Sequence, residues 1–166
     1  MMILRSSALM LSVALAGLVA TAQSPFDNLP KQSKAPQSVS YLFPEQITIP
    51  AGKPATVDLH FKVAAGLHVN SHTPAEEALI PTTLKFPEDS AVKLAKADYP
   101  HGEPFTYPND PGQKLSVYTG EFTIHTEIVA PKGDHLLQAS LRYQACSNEL
   151  CLPPRTIPIA IDIIAK

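Results

Sequence analysis

The chain has 166 residues, two cysteines, seventeen prolines and a formal net charge of −2. That length suits one domain, large enough to bury a core without help from disulfides. It holds no basic run and no Arg/Lys stripe, which argues against nucleic acid as a partner, because phosphate binding needs clustered cations.

The first residues read as a secretory signal. Arg5 supplies a positive start, residues 7–20 form an apolar run, and Ala20-Thr21-Ala22 matches the small-x-small cleavage pattern. The run falls short of the roughly 20 apolar residues that a membrane-spanning helix needs, although an uncleaved anchor is the alternative. A signal peptide over 1–22 is therefore expected, and export permits a disulfide. No later segment is long and apolar enough to span a bilayer. Residues 23–37 hold Pro25, Pro30 and Pro36 with Lys31 and Lys34 and lack apolar periodicity, so they read as a flexible leader. The folded domain is expected over 38–166.

From Ser38 onward the period is two. Short strands are expected at 39–43 and 46–49. In the next run, Val57, Leu59, Phe61 and Val63 alternate with Asp58, His60 and Lys62, as in a half-buried strand. A short strand at 67–70 follows. Residues 74–79 are the one place for a helical turn, with Thr73 as its cap. Further strands are expected at 82–86 and 92–97. Residues 98–113 hold Pro100, Pro104, Pro108 and Pro111 among Tyr99, Phe105 and Tyr107. They are too proline-rich for a central strand and read as a long loop, either a lid or binding loop or a plain surface connection. Phe122, Ile124 and Ile128 then resume the alternation. So do Leu137, Ala139, Leu141, Tyr143 and Ala145, and finally Ile157, Ile159, Ile161 and Ile163. Turn signals such as Pro50-Ala-Gly52, Ala65-Gly66 and Pro131-Lys-Gly133 separate the runs. Many short strands so punctuated indicate an all-β antiparallel sandwich.

The cysteines lie in Cys146-Ser-Asn-Glu-Leu-Cys151, just before Pro153 and Pro154. Two readings are open. As a staple, so short a loop gains only about 2 kcal/mol, against about 4.7 for a 100-residue loop. As a redox pair, the bond must be reachable by another thiolate. Alternation that places Tyr143 and Ala145 inward would point Cys146 outward with Arg142 and Gln144. The paired prolines lack N–H groups and leave the neighbouring edge incompletely paired. His68 and His72, followed by Glu76 and Glu77, could be imagined as a zinc site, but spacing on an extended segment is weak evidence and a third ligand is wanted. No metal site or cofactor is assigned.

Tyr143-Gln-Ala-Cys-Ser-Asn-Glu-Leu-Cys-Leu-Pro-Pro154 resembles the Tyr-Gln-x-Cys…Cys-x-Pro-Pro signature of the N-terminal periplasmic domains of DsbD, the thiol:disulfide interchange family. Gly66-Leu-His-Val-Asn-Ser71 with Leu79-Ile-Pro-Thr-Thr-Leu84, and Val117-Tyr-Thr-Gly-Glu-Phe-Thr-Ile124, also fit, so the likeness covers about 38–164. The resemblance implies an immunoglobulin-like sandwich in the periplasm, with a redox-active cysteine pair on a hairpin. Cys151 would engage partners and Cys146 would resolve the mixed disulfide. An aromatic cap, Phe105 or Tyr107, would shield the bond, and Tyr143 corresponds to a tyrosine beside the cysteines. The implied partners are thioredoxin-like periplasmic proteins, as donor and acceptor. The family's membrane and thioredoxin-like domains have no counterpart in these residues, so a separate protein, such as a membrane electron conduit, is expected to supply electrons. The alternative is a non-enzymatic binding module whose disulfide only fixes the hairpin.

Overall fold

In a computed structural model of the chain, the described residues are 37–42, 45–108 and 110–166. The expected signal peptide at 1–22, and the expected leader except for its last residue, lie outside them. The described residues form strands and turns and no helix. In chain order the strands are β1 (Val39–Leu42), β2 (Gln46–Ile49), β3 (Ala55–Val63), β4 (His68–Asn70), β5 (Thr83–Lys85) and β6 (Lys93–Asp98). They continue with β7 (Glu103–Tyr107), β8 (Asp110–Tyr118), β9 (Glu121–Val129), β10 (Gly133–Tyr143), β11 (Ala145–Cys146) and β12 (Arg155–Ala165).

Two sheets make the layers of the sandwich. One has the order β1-β3-β9-β6 and is antiparallel throughout. The other has the order β2-β12-β10-β5 and is antiparallel except where β2 runs parallel to β12. Period-two burial follows from the alternation of side chains along a strand. Val57, Leu59, Phe61 and Val63 of β3 face inward with Phe122, Ile124 and Ile128 of β9. Leu137, Ala139, Leu141 and Tyr143 of β10 and Ile157, Ile159, Ile161 and Ile163 of β12 meet them in one core cluster. Phe61 links Tyr41 and Phe122, at ring-centroid distances of 5.5 and 5.2 Å. Thr126 is the polar exception on the inward face, and its hydroxyl donates to the Val57 carbonyl at 2.7 Å. The fold is the immunoglobulin-like antiparallel sandwich that was expected.

A third sheet, in the order β11-β4-β8-β7, carries the cysteines. Two expectations change here. Residues 74–79 make a turn closed by the Leu79 N–H on the Glu76 carbonyl at 3.2 Å, without a helix. The stretch 98–113 is largely a β-hairpin: β7 pairs with β8 from Glu103↔Val117 onward. Proline is tolerated there because β7 is the edge strand and needs only one paired side. The approach of β4 is set by the turn at 64–67, where the Leu67 N–H reaches the Ala64 carbonyl at 3.1 Å. Gly66 takes a φ of 78°, the left-handed position that this kind of turn requires of its third residue.

Candidate functional site

The ladder between β10 and β12 ends at Tyr143↔Arg155. Beyond it the chain changes sheets. Ala145 and Cys146 pair with Val69 and His68 of β4, and on its other side Cys146 stands opposite Cys151. The Leu152 N–H donates to the Ala145 carbonyl and the Ser147 N–H to the Leu150 carbonyl, each at 2.8 Å. These bonds flank the cysteines and leave them as a non-hydrogen-bonded pair, the position where opposed side chains come closest. The Cα atoms are 3.9 Å apart and a disulfide joins the sulfurs. Ser147 shapes the turn, its hydroxyl oxygen accepting from the N–H groups of Glu149 and Leu150 at 3.1 and 3.2 Å.

The two halves of the bond differ. Cys151 is exposed and so are Pro153 and Pro154 after it, whereas Cys146 is only 2% exposed. This corrects the expectation that Cys146 points outward. The two-residue period of β10 breaks at Gln144, where the chain leaves one sheet for another, so Ala145 and Cys146 are buried in succession. Leu150, next to the reachable cysteine, is an exposed large apolar residue.

The β7–β8 hairpin brings aromatic side chains to the site. Phe105 packs on the His68 ring with centroids 4.1 Å apart. Tyr107 meets Phe105 edge-on at 5.4 Å, and its hydroxyl donates toward Cys151 Sγ at 3.6 Å. Burial raises the Tyr107 pKa, which keeps that hydroxyl protonated at neutral pH. The hairpin enters through Gly102, which runs against the Ser71 and Ser116 side chains. A Cβ there would stand 2.7 Å from Ser71 Cβ and 2.1 Å from Ser116 Oγ. Those two hydroxyls are themselves hydrogen-bonded at 2.8 Å. Of the residues singled out from sequence, Cys146, Cys151, Phe105 and Tyr107 thus come together. Tyr143 instead belongs to the core cluster, and its hydroxyl meets the Val39 backbone. Its pKa is raised by burial, against the opposing pull of that hydrogen bond and of Arg155.

His68 and His72 do not converge. His72 stacks on Tyr99 at 3.6 Å, and its Nδ1 donates to the Thr82 carbonyl at 3.0 Å. Glu76 accepts from the Gln113 amide at 3.3 Å. Among the described residues no group of three or more His, Cys, Asp or Glu is placed to hold a metal ion. His68 is the site residue whose place the sequence did not disclose. It lies beside Cys146 in the ladder and is 2% exposed, and burial lowers its pKa below the ordinary histidine value. Its Nε2 has no hydrogen-bond partner among the described residues. It also borders an open groove of about 430 Å³ with Lys62, Leu67, Phe105 and Asn148. Only cross-strand register, which is invisible in a local pattern, sets it there.

Comparison with known proteins bears on this arrangement. A family model described as thiol:disulfide interchange protein DsbD, N-terminal, matches residues 38–162. Among solved structures, the chain is similar to the DsbD N-terminal domain of Neisseria meningitidis in the reduced form. Identity is 19%, over 67% of this chain and 79% of that one, with a TM-score of 0.46. It is also similar to the N-terminal periplasmic domain of ScsB from Proteus mirabilis, at 13% identity over 75% of this chain and 43% of that one, with a TM-score of 0.48. A PapD-like domain of human CEP192 is 11% identical over 93% of this chain and 97% of that one, with a TM-score of 0.40. No curated protein matches the chain.

Proposed function

The chain belongs to the family of DsbD N-terminal domains, and on that premise we propose that it is a periplasmic thiol–disulfide exchange module working through Cys146 and Cys151. The observation that carries this reading is the asymmetry of the bond: an exposed cysteine tied to a buried one. Exchange proceeds by thiolate attack on one sulfur, through a mixed disulfide, with the other sulfur leaving. An incoming thiolate reaches Cys151. Its sulfur bonds to Cys151 Sγ, the bond to Cys146 breaks, and the electron pair stays on Cys146. Reversal resolves the complex. The cycle uses no cofactor. Phe105 and Tyr107 act as a cap that must lift for each encounter, a gating step. Tyr143 anchors the strand that delivers Cys146.

Thioredoxin-like periplasmic proteins serve as donor and acceptor, and a separate membrane conduit supplies electrons. Residues 1–22 act as a cleaved signal peptide, 23–37 as a leader and 38–166 as the working domain. No helix among the described residues is long and apolar enough to cross a membrane.

The test is covalent trapping with a thioredoxin-like protein. Cys146→Ser, which keeps the reachable sulfur and removes the resolving one, accumulates the mixed disulfide. Cys151→Ser traps none. If the two variants behave alike, the roles are wrong. A reduction potential below about −300 mV would instead mark a structural bond in a binding module.

A further inference from the structure

A buried cysteine that must attack as a thiolate needs a group to take its proton, because the thiolate and not the thiol is the nucleophile. Cys146 is 2% exposed, so bulk water is not at hand. In the ladder Cys146 has a neighbour on each side: Cys151 on one, His68 on the other. Residues paired in an antiparallel sheet project from the same face with Cβ atoms about 4.5–5.5 Å apart. His68 is equally buried, roofed by Phe105, and its Nε2 has no hydrogen-bond partner among the described residues. In the disulfide, Cys146 Sγ is held on the Cys151 side. Breaking the bond frees it to turn about Cα–Cβ toward the other neighbour.

We propose that His68 is the proton partner of Cys146 in the reduced protein, a role that rests on the exchange reading above. When a partner thiolate bonds to Cys151 Sγ, the electron pair of the broken disulfide stays on Cys146 Sγ. That sulfur turns to the imidazole, and the proton shed by the partner's thiol reaches it by way of His68. In the return step the Cys146 thiol gives its proton to His68 Nε2. The thiolate attacks Cys151 Sγ, the intramolecular disulfide forms, and the partner's sulfur leaves with its electron pair. Two electrons move between dithiol and disulfide, and no further oxidant or reductant enters.

The surroundings suit this task. Phe105 lies over the ring at a tilt of 34°, with centroids 4.1 Å apart, and His68 is only 2% exposed to water. Burial favours the neutral imidazole, so a proton-accepting nitrogen is present at neutral pH. The titratable groups gathered round it are Cys146 and Cys151 along the ladder, Tyr107 on the cap strand with its ring centroid 5.9 Å away, and Lys62 across the groove. Lys62 is ion-paired with Glu121 at 3.0 Å, and Glu103 accepts from the Thr119 hydroxyl in the groove wall at 2.9 Å. His68 is therefore, besides Cys151, the titratable residue that stands directly opposite Cys146 in the ladder.

The experiment follows the His68 imidazole by NMR in the wild-type protein, oxidised and then reduced with dithiothreitol. This reductant opens the bond whether or not any protein does, so a failed exchange reading leaves the test intact. On reduction the Nε2 resonance moves and the titration midpoint of the ring rises by about one pH unit, as expected for an imidazole beside a thiolate. A midpoint that stays or falls overturns the proposal. In a Cys151→Ser background, which leaves Cys146 as the lone thiol, adding His68→Gln lowers the alkylation rate at pH 7 by about tenfold. Superimposable rate–pH profiles with and without His68 also overturn it. The wild-type comparison stands even if His68→Gln impairs folding.

Discussion

Along β10 and β12 eleven consecutive residue pairs face one another, and the inward positions from Leu137 to Tyr143 and from Ile157 to Ala165 are all buried and apolar. One residue beyond β10, β11 contributes two pairs to a different sheet, and the buried positions near them include His68, Asn70, Ser71 and Cys146. In the described residues, three buried side-chain atoms lack hydrogen-bond partners. Two of them, His68 Nε2 and Asn70 Oδ1, belong to β4 in this end sheet. A buried polar group left unpaired costs about 1–3 kcal/mol. The ladder and the core supply the stability, and the end sheet uses some of it to hold His68 and Asn70 beside the cysteines in a poorly satisfied arrangement. Local strain or unmet bonding of this kind persists only when the surrounding structure over-determines it.

The contrast can be broken at either end. Ile161→Ala deletes a fully buried side chain opposite Leu137, and large-to-small changes of this kind cost about 2–5 kcal/mol. The expected outcome is a lower urea midpoint, with the disulfide-exchange rate of the still-folded protein within about twofold of wild type, because distant sites act independently. A large change in exchange would mean that core and site are mechanically coupled. Gly102→Ala works from the other side. The added methyl collides with Ser71 and Ser116, at a cost of about 1–3 kcal/mol borne mainly by the β7–β8 hairpin. The unfolding midpoint falls less than for Ile161→Ala. The rate of glutathione attack on Cys151 rises roughly tenfold, since each 1.4 kcal/mol lost from closure multiplies the open population by ten. An unchanged rate would remove the cap from the argument.

Sandwich and site were legible to different degrees, for a physical reason. Val57-x-Leu59-x-Phe61-x-Val63 and the four alternating isoleucines state their buried face in a local period of two, and the structure buries all of them. The cysteine pair was legible because its loop is short and the paired prolines mark its exit. Strands β7 and β8 were not. Pro104 in β7, Pro108 in the turn and Pro111 in β8 mask the strand signal, and Pro104 is tolerated because β7 is the edge strand. The burial of Cys146 was missed because the chain switches sheets at Gln144, and a period read along one strand cannot register a change of partner. The place of His68 depends on pairing between segments far apart in the chain, which no single window contains.

The smallest expected effect comes from Tyr107→Phe, and it decides how the cap works. Two mechanisms are compatible with the geometry: the Tyr107 ring covers the bond together with Phe105, or its hydroxyl, 3.6 Å from Cys151 Sγ, holds the sulfur by a weak hydrogen bond. Phenylalanine keeps the ring and removes the oxygen. The hydroxyl lies at a partly open position, and substitutions there usually move stability by less than about 0.5 kcal/mol, about 2 °C in midpoint for a chain of this size. A sulfur is also a poor acceptor, so coverage should dominate. Glutathione attack on Tyr107→Phe is therefore expected within about threefold of wild type, well below the effect of Gly102→Ala. A tenfold acceleration by loss of the oxygen alone would reverse that order and make the hydroxyl, in place of the aromatic surface, the element that keeps the bond closed.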